Sequence, residues 1–307
     1  MSRKIMAVVN PVSANGSTGS AWPKILETAR ELGLELDWQL TTGPGAATVM
    51  AREALEKGYR TIVAVGGDGT INEVVNGFFE DDRPLVPEAA LGVVSRGTGC
   101  DFIRTLGIPK DPKEALRRLL DDRTTAVDIG KAVFAGPGGV ETRRYFVNIA
   151  DFGLGAATAE RVNRTTKAFG GFASFLYGVI STLLTYRNKR VEVALDGGEP
   201  IGMVSSILVV ANGRCFGGGM RIAPNASPSD GLFDVIIVGD MTRPELVMNL
   251  PRVYRGIHLT HPKVSSFRAR RVRVTSGDRV LLELDGEQPG TSDGEFTVIP
   301  SALRVRV

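Results

Sequence analysis

Gly66-Gly67-Asp68-Gly69-Thr70 gathers three glycines and one carboxylate within five residues. An apolar run, Thr61 to Val65, leads into it. A helical pattern leads out, with Ile71, Val74, Val75 and Phe78 on one face and Gly77 near its end. Strand, tight turn and helix start together aim free backbone N–H groups and the positive helix end at an anion. The turn lacks the Gly-Lys-Ser/Thr ending of a Walker A loop and the third glycine of a dinucleotide fingerprint. Asp68 at its centre would repel phosphates unless a metal or a transferable proton lies between them. The chemistry this predicts is phosphoryl transfer rather than phosphate holding alone.

Further clusters follow along the chain: Asn10-Pro11, then Gly97-Thr98-Gly99-Cys100-Asp101-Phe102, then Ala211-Asn212-Gly213 with Gly217-Gly218-Gly219-Met220. Ala223-Pro224-Asn225-Ala226 leads to Asp230-Gly231-Leu232, and Leu284-Asp285-Gly286-Glu287 comes last. Several have a plainer reading. Asn10-Pro11 reads as a turn after a strand, Thr41 as a strand-end hydroxyl, and Asp101 as a helix N-terminal acid. Asp285-Gly286 is also a strong hairpin signal.

The elements that must position these residues fall into two halves. Up to about residue 126, strands at Lys4–Asn10, Leu36–Thr41, Arg60–Val65 and Ala90–Ser95 alternate with helices at Ala21–Leu32, Ala46–Lys57, Thr70–Phe79 and Asp111–Leu120. This pattern predicts a parallel sheet with crossover helices, whose ligands bind at the carboxyl ends of the strands. Residues 127–307 read differently. A hairpin turns at Gly136-Pro-Gly-Gly, and helices are expected near Gly155–Lys167, Phe172–Tyr186 and Pro244–Gly256. Around them are alternating runs, which predict a mainly antiparallel β-sandwich. The expected domains are therefore 1–126, an α/β nucleotide-binding domain, and 127–307, a β-rich domain, with the active cleft between them.

With 307 residues the chain has room for two cores. A net charge of +3 does not by itself point to nucleic acid, and two cysteines, Cys100 and Cys215, build neither a disulfide framework nor a zinc site. The N-terminal apolar run is too short for a secretion signal, so a cytoplasmic location is expected. Eighteen residues from Phe169 to Tyr186 carry no charge and end in Arg187, Lys189 and Arg190. Their large apolar residues have the one-sided spacing of an amphipathic helix rather than of a membrane span. Whether that stripe faces protein or lipid stays open.

Taken in order, the clusters resemble the diacylglycerol kinase catalytic-domain family, the bacterial soluble lipid kinases related to sphingosine and ceramide kinases. The resemblance covers essentially the whole chain, and it implies the two-domain architecture shared with NAD kinases. It implies ATP against the glycine turn, touching Asn10, Pro11, Thr41, Gly66, Gly67, Asp68, Gly69, Thr70, Ile71, Asn72 and Thr98. It implies Glu287 as the carboxylate base, with Asp68 as the rival, because sphingosine kinases are described with the acid of this turn in that role. It implies Mg²⁺ at Asp230 with backbone oxygens of Ser227 and Leu232, joined to Asp68 and Asp101 through water. The expected reaction is phosphorylation of a lipid hydroxyl, diacylglycerol to phosphatidic acid, at the inner membrane surface. A homodimer is among the open oligomeric states.

The chain departs from the family pattern at Ser95-Arg96-Gly97-Thr98-Gly99-Cys100-Asp101-Phe102, where the family has Pro-Leu-Gly-Thr-Gly-Asn-Asp-Phe. Cys100 replaces an amide that donates and accepts hydrogen bonds well. Two alternatives follow. An NAD-kinase-like enzyme shares the turn, but the sequence has only the Asn72-Glu73 pair and no second Asn-Glu-Asp motif downstream. A catalytically weak nucleotide-binding regulator is the other.

Overall fold

The computed structural model describes residues 4–97, 99–164 and 171–307. The chain forms two compact units, Met1–Ile129 with Pro300–Val307, and Gly130–Ile299.

The first unit begins with β1 (Ile5–Val9), α1 (Ser17–Glu31), β2 (Asp37–Leu40), α2 (Ala46–Glu56) and β3 (Thr61–Gly66). It continues through α3 (Asp68–Asn76), a short ribbon of β4 (Phe79–Glu80) and β5 (Arg83–Pro84), β6 (Ala90–Ser95), α4 (Asp101–Leu106) and α5 (Pro112–Arg117). The strands β2, β1, β3 and β6 lie side by side in that order, all parallel. Every residue of β1, β3 and β6 is buried. Continuous apolar runs of this kind belong to parallel strands covered by helices on both faces. One core joins Ile5, Ala7, Val9, Val63, Val65 and Val94 to Trp22 and Ile25 of α1 and Leu116 of α5. After β1 the chain moves to one side, for β2, and then crosses to the other, for β3. That reversal of strand order opens a crevice at the carboxyl ends of β1 and β3.

The second unit contains β7 (Thr124–Ala135, shared with the first), β8 (Glu141–Phe146), β9 (Ile149–Gly153), α6 (Leu154–Arg164) and α7 (Gly171–Thr185). Then come β10 (Lys189–Leu195), β11 (Ile201–Ser205), β12 (Ile207–Ala211), β13 (Phe233–Val238) and α8 (Arg243–Arg255). The last strands are β14 (Val264–Ala269), β15 (Arg271–Thr275), β16 (Leu281–Leu284) and β17 (Glu287–Arg306). Antiparallel pairing runs β14-β13-β12-β9-β16-β17, and β15, β10 and β11 continue from β17. Phe146 stacks on Phe233 at 5.6 Å between centroids, and Phe296 meets Phe146 and Phe152 edge-on. These rings fill the middle of the β-rich core.

The expected second half ran from 127 to the C-terminus, but residues 300–307 belong to the first unit. Arg304 and Val305 pair with Ala90 and Leu91 of β6 in parallel. Ser301 donates its N–H to Asp128 at 2.7 Å, and Arg306 donates to the Asp121 carbonyl at 2.6 Å. The returning strand covers what would otherwise be the open edge of β6, which leaves unpaired backbone groups if exposed. Among the described residues no helix is long and apolar enough to cross a membrane.

Candidate active site

The crevice between β1 and β3 is closed by side chains that the sequence singled out. Asn10 follows β1 and donates from Nδ2 to Thr70 Oγ1 at 2.9 Å. Its own Oδ1 accepts the Val12 N–H at 3.2 Å, so a local turn fixes the amide. Thr41, at the end of β2, donates its N–H to Val9 at 2.8 Å, and Gly19 does the same to Pro11 at 3.1 Å. Asn10, Pro11 and Thr41 thus lie at the carboxyl ends of neighbouring strands.

The turn of three glycines is shaped by close approach. A Cβ on Gly66 would lie 2.4 Å from Thr70 Oγ1, and one on Gly97 would lie 2.7 Å from Gly67 Cα. The two glycine loops therefore touch backbone to backbone. Helix α3 starts at Asp68, and its first internal hydrogen bond runs from Ile71 N–H to the Gly67 carbonyl at 3.1 Å. The N–H groups of Asp68, Gly69 and Thr70 belong to the turn that has no intrahelical acceptor. Ile71 and Asn72, included among the contacts that the resemblance implies, are buried in the packing beneath the turn.

Asp68 is held by the second glycine loop. Its Oδ1 accepts the N–H of Asp101 at 3.1 Å and of Phe102 at 3.3 Å, at the start of α4. Burial raises its carboxyl above the usual range, opposed by those backbone donors and by the Arg104 charge. Asp101 is itself buried and pairs with Arg104 at 2.8 Å. A Cβ on Gly99 would lie 2.8 Å from Asp68 Oδ2, so that glycine keeps room for the carboxylate. Thr98 lies outside the described residues.

Cys100 is buried, and its Sγ donates to the Gly97 carbonyl at 3.0 Å and contacts Ser95 Oγ at 3.1 Å. Its φ of 56° is left-handed, a conformation that suits the asparagine of the family pattern better. The thiol is a packed loop brace. Arg96 donates its N–H to Gly66 at 2.7 Å, while its buried Nε has no partner among the described residues. Glu73 plays a structural part, since its Oε2 accepts the Ala47 N–H at 3.1 Å and so caps α2.

In the second unit, Glu287 opens β17 directly after a two-residue turn. Leu284 pairs with Glu287, and Asp285 and Gly286 have φ of 48° and 95°. Two left-handed residues are what a type I′ hairpin requires. The hairpin reading of this motif therefore holds. Glu287 is half-exposed and ion-paired with Arg144 at 2.9 Å. Asp285 points the other way. Its carboxylate accepts the N–H groups of Val147, Asn148 and Ile149 at 2.8, 3.0 and 2.9 Å.

Asp230 accepts the Leu232 N–H at 3.1 Å and forms an ion pair with Arg268, whose Nε lies 3.8 Å from Asp234. Ser227 Oγ is 3.5 Å from Ser229 Oγ. Asp234 was missed by sequence reasoning. Its Oδ2 is buried without a hydrogen-bond partner among the described residues, and burial raises its carboxyl despite Arg268, with Asp230 adding to the rise. A carboxylate two residues after the Asp-Gly-Leu motif on an apolar strand was the available signal.

Known proteins share both units. The diacylglycerol kinase catalytic domain model matches residues 4–132, and the YegS C-terminal NAD kinase beta sandwich-like domain model matches residues 148–307. Diacylglycerol kinase from Bacillus subtilis (strain 168) is 32% identical over 296 residues, covering 96% of this chain and 93% of the relative. The chain belongs to the diacylglycerol kinase family. A solved chain from Bacillus anthracis str. Sterne superposes with a TM-score of 0.78 at 23% identity, covering 99% of this chain and 95% of that one. Yeast NADH kinase, complexed with NADH, reaches 0.55 at 12% identity, with 99% and 83% covered. Those two likenesses show fold alone. They agree with the α/β unit and β-sandwich expected for a diacylglycerol kinase, and membership in a kinase family implies a nucleotide substrate.

Proposed function

We propose that this diacylglycerol kinase family member transfers the γ-phosphoryl group of ATP to the hydroxyl of diacylglycerol, giving phosphatidic acid. The observation that carries the reading is the junction of Asn10, Thr70 and the Gly66–Thr70 turn at the reversal of strand order. The free N–H groups of Asp68, Gly69 and Thr70 donate to the nucleotide's phosphate oxygens, with the α3 N-terminus behind them. Asn10 fixes the Thr70 hydroxyl, and Asp68 holds the second glycine loop in place.

Glu287 is the general base. The acceptor hydroxyl oxygen attacks the γ-phosphorus, the bond to the bridging oxygen breaks, ADP leaves, and the hydroxyl proton passes to the Glu287 carboxylate. Arg144 holds that carboxylate in one rotamer. Asp68 is less suited to take the proton, because its Oδ1 is committed to the amides of Asp101 and Phe102.

Mg²⁺ would be held by Asp230 with the carbonyls of Ser227 and Leu232. The donor set fits a hard cation, since it offers only oxygens and includes the buried Oδ2 of Asp234, which accepts no hydrogen bond among the described residues. Bound there, the ion would brace the Asp230 segment, while ATP would bring its own Mg²⁺ to offset the phosphate charge.

A lipid acceptor calls for contact with a bilayer. On α7, Tyr177, Ile180 and Leu184 are exposed at helical spacing, and Arg187, Lys189 and Arg190 follow. That pairing supports peripheral binding to an anionic inner membrane surface. Phe169 lies outside the described residues. Phosphate transfer to diacylglycerol, sphingosine and NAD, measured in parallel, tests the proposal. Transfer to NAD alone would replace it with the NAD-kinase reading.

A further inference from the structure

Beneath the hairpin that carries Glu287 lies a pair of carboxylates with no assigned role. Asp151 on β9 stands directly opposite Glu283 on β16 in the antiparallel register. Both are buried, Asp151 to 0% exposure and Glu283 to 6%. Asp151 Oδ1 accepts the Ala156 N–H at the start of α6, at 2.8 Å. A Cβ on Gly155 would lie 2.4 Å from that carboxylate, so the glycine is what admits it. Among the described residues Asp151 Oδ2 has no donor. Glu283 Oε1 accepts the N–H of Gly286, the second residue of the turn before Glu287.

Two facing carboxylates cannot both stay charged in this setting. Asp285, one residue past Leu284, already holds a negative charge on three backbone N–H groups. Tyr186 also faces the pair; its buried hydroxyl has no partner among the described residues, and its ionisation is suppressed by burial and by the charges of Asp151 and Asp278. Among the described residues no cation offsets the charge of either carboxyl. A proton on one carboxyl supplies the donor that Asp151 Oδ2 lacks. Like charges at such separations leave one carboxyl strongly raised.

We propose that Asp151 and Glu283 share one proton, and that this bridged pair is the positioning element for the turn that presents Glu287. The positioning half rests on Glu287 being the base; the shared proton does not. Burial, and then the neighbouring Asp151, push the Glu283 carboxyl well above the usual carboxylate range. The native state therefore binds a proton that the unfolded chain releases near pH 4. Stability is full below that point and declines as pH rises through the raised titration of the pair. Deprotonation would set two charges against each other, and their repulsion would shift Glu283 together with the turn that it holds through the Gly286 N–H. Misplacing a reacting group by about an ångström costs about a hundredfold in rate.

The experiment uses the full chain as wild type, Glu283→Gln, Glu283→Ala and Glu287→Gln. Glutamine keeps both a donor for Asp151 and an acceptor for Gly286 at any pH. Infrared spectra at pH 7 should show a protonated-carboxyl C=O band in wild type and Glu287→Gln, and none in Glu283→Gln. The melting temperature of wild type should fall with rising pH more steeply than that of Glu283→Gln. Glu283→Ala should lose about a hundredfold in kcat with KM for ATP unchanged, and Glu283→Gln should recover most of it. Absence of the band, or an unaltered pH slope in Glu283→Gln, would overturn the shared proton. An equal kcat loss in Gln and Ala, or none in Ala, would overturn the positioning role. A fully active Glu287→Gln chain that keeps the band would remove the base assignment and leave the proton standing.

Discussion

Asp68 Oδ1 accepts the backbone N–H of Asp101 at 3.1 Å, so one carboxylate belongs to the first turn of α3 and caps the first turn of α4. The first glycine turn and the second glycine loop are locked to each other through it, with Gly67 and Gly97 pressed together alongside. Any substitution at Asp68 therefore acts on structure and on chemistry at once.

Two variants separate these effects. Asp68→Asn keeps an oxygen acceptor for the amides of Asp101 and Phe102 while removing the charge. Asp68→Ala removes both, at a cost typical of a lost cap, about 1–2 kcal/mol. The expected outcome is a lowered melting temperature for Ala only, and loss of turnover in both. Wild-type turnover in Asp68→Asn would reduce the carboxylate to a brace.

Glu287→Gln should lower kcat by about 10²–10⁴-fold while ATP binding is unchanged, because a general base acts in the transition state. Calorimetric ATP binding and single-turnover transfer check this on the same preparation. Arg144→Met should reduce kcat less, since the carboxylate remains but loses the partner at 2.9 Å that fixes its rotamer. Failed ATP binding with normal chemistry would make Glu287 a nucleotide contact.

The α/β half was readable because each buried parallel strand is a short apolar run and each helix keeps its 3.6-residue period. Ala90–Ser95 was placed to the residue. What could not be read depends on contacts distant in sequence. Nothing local marks residues 300–307 as the partner of β6, some 210 residues earlier. The capping by Asp68 spans 33 residues. Glu283 sits in a Leu-Leu-Glu-Leu strand, where alternation would turn it outward to water. It is buried because both faces of that strand are covered, and only the opposing Asp151 accounts for it.

Arg268 competes with any cation for Asp230. Its guanidinium pairs with Asp230 and approaches Asp234 at 3.8 Å. Arg268→Met should therefore lower the free Mg²⁺ concentration needed for half-maximal activity, and Asp230→Asn should raise it. Titration of Mg²⁺ at saturating ATP–Mg²⁺, with direct metal binding by calorimetry, reads both. An unchanged Mg²⁺ requirement in Asp230→Asn would place the ion elsewhere.

The helix α7 allows the membrane question to be asked without damage to the core. Tyr177, Ile180 and Leu184 face outward, whereas Val179 and Leu183 are buried at 8% and 4% exposure. Replacing the outward trio by Ser should leave the melting temperature within a degree or two, because exposed side chains contribute little to folding. The same variant should bind anionic vesicles less and turn over lipid dispersions more slowly, with ATP binding intact. Leu183→Ala provides the contrast, since truncating a buried leucine costs about 2–5 kcal/mol and should lower the melting temperature whatever the lipid present. Vesicle binding by wild type should weaken as salt rises, because the cations at Arg187, Lys189 and Arg190 act over about a Debye length of 8–10 Å. If the trio variant binds vesicles as wild type does, the apolar face of α7 is not the lipid contact.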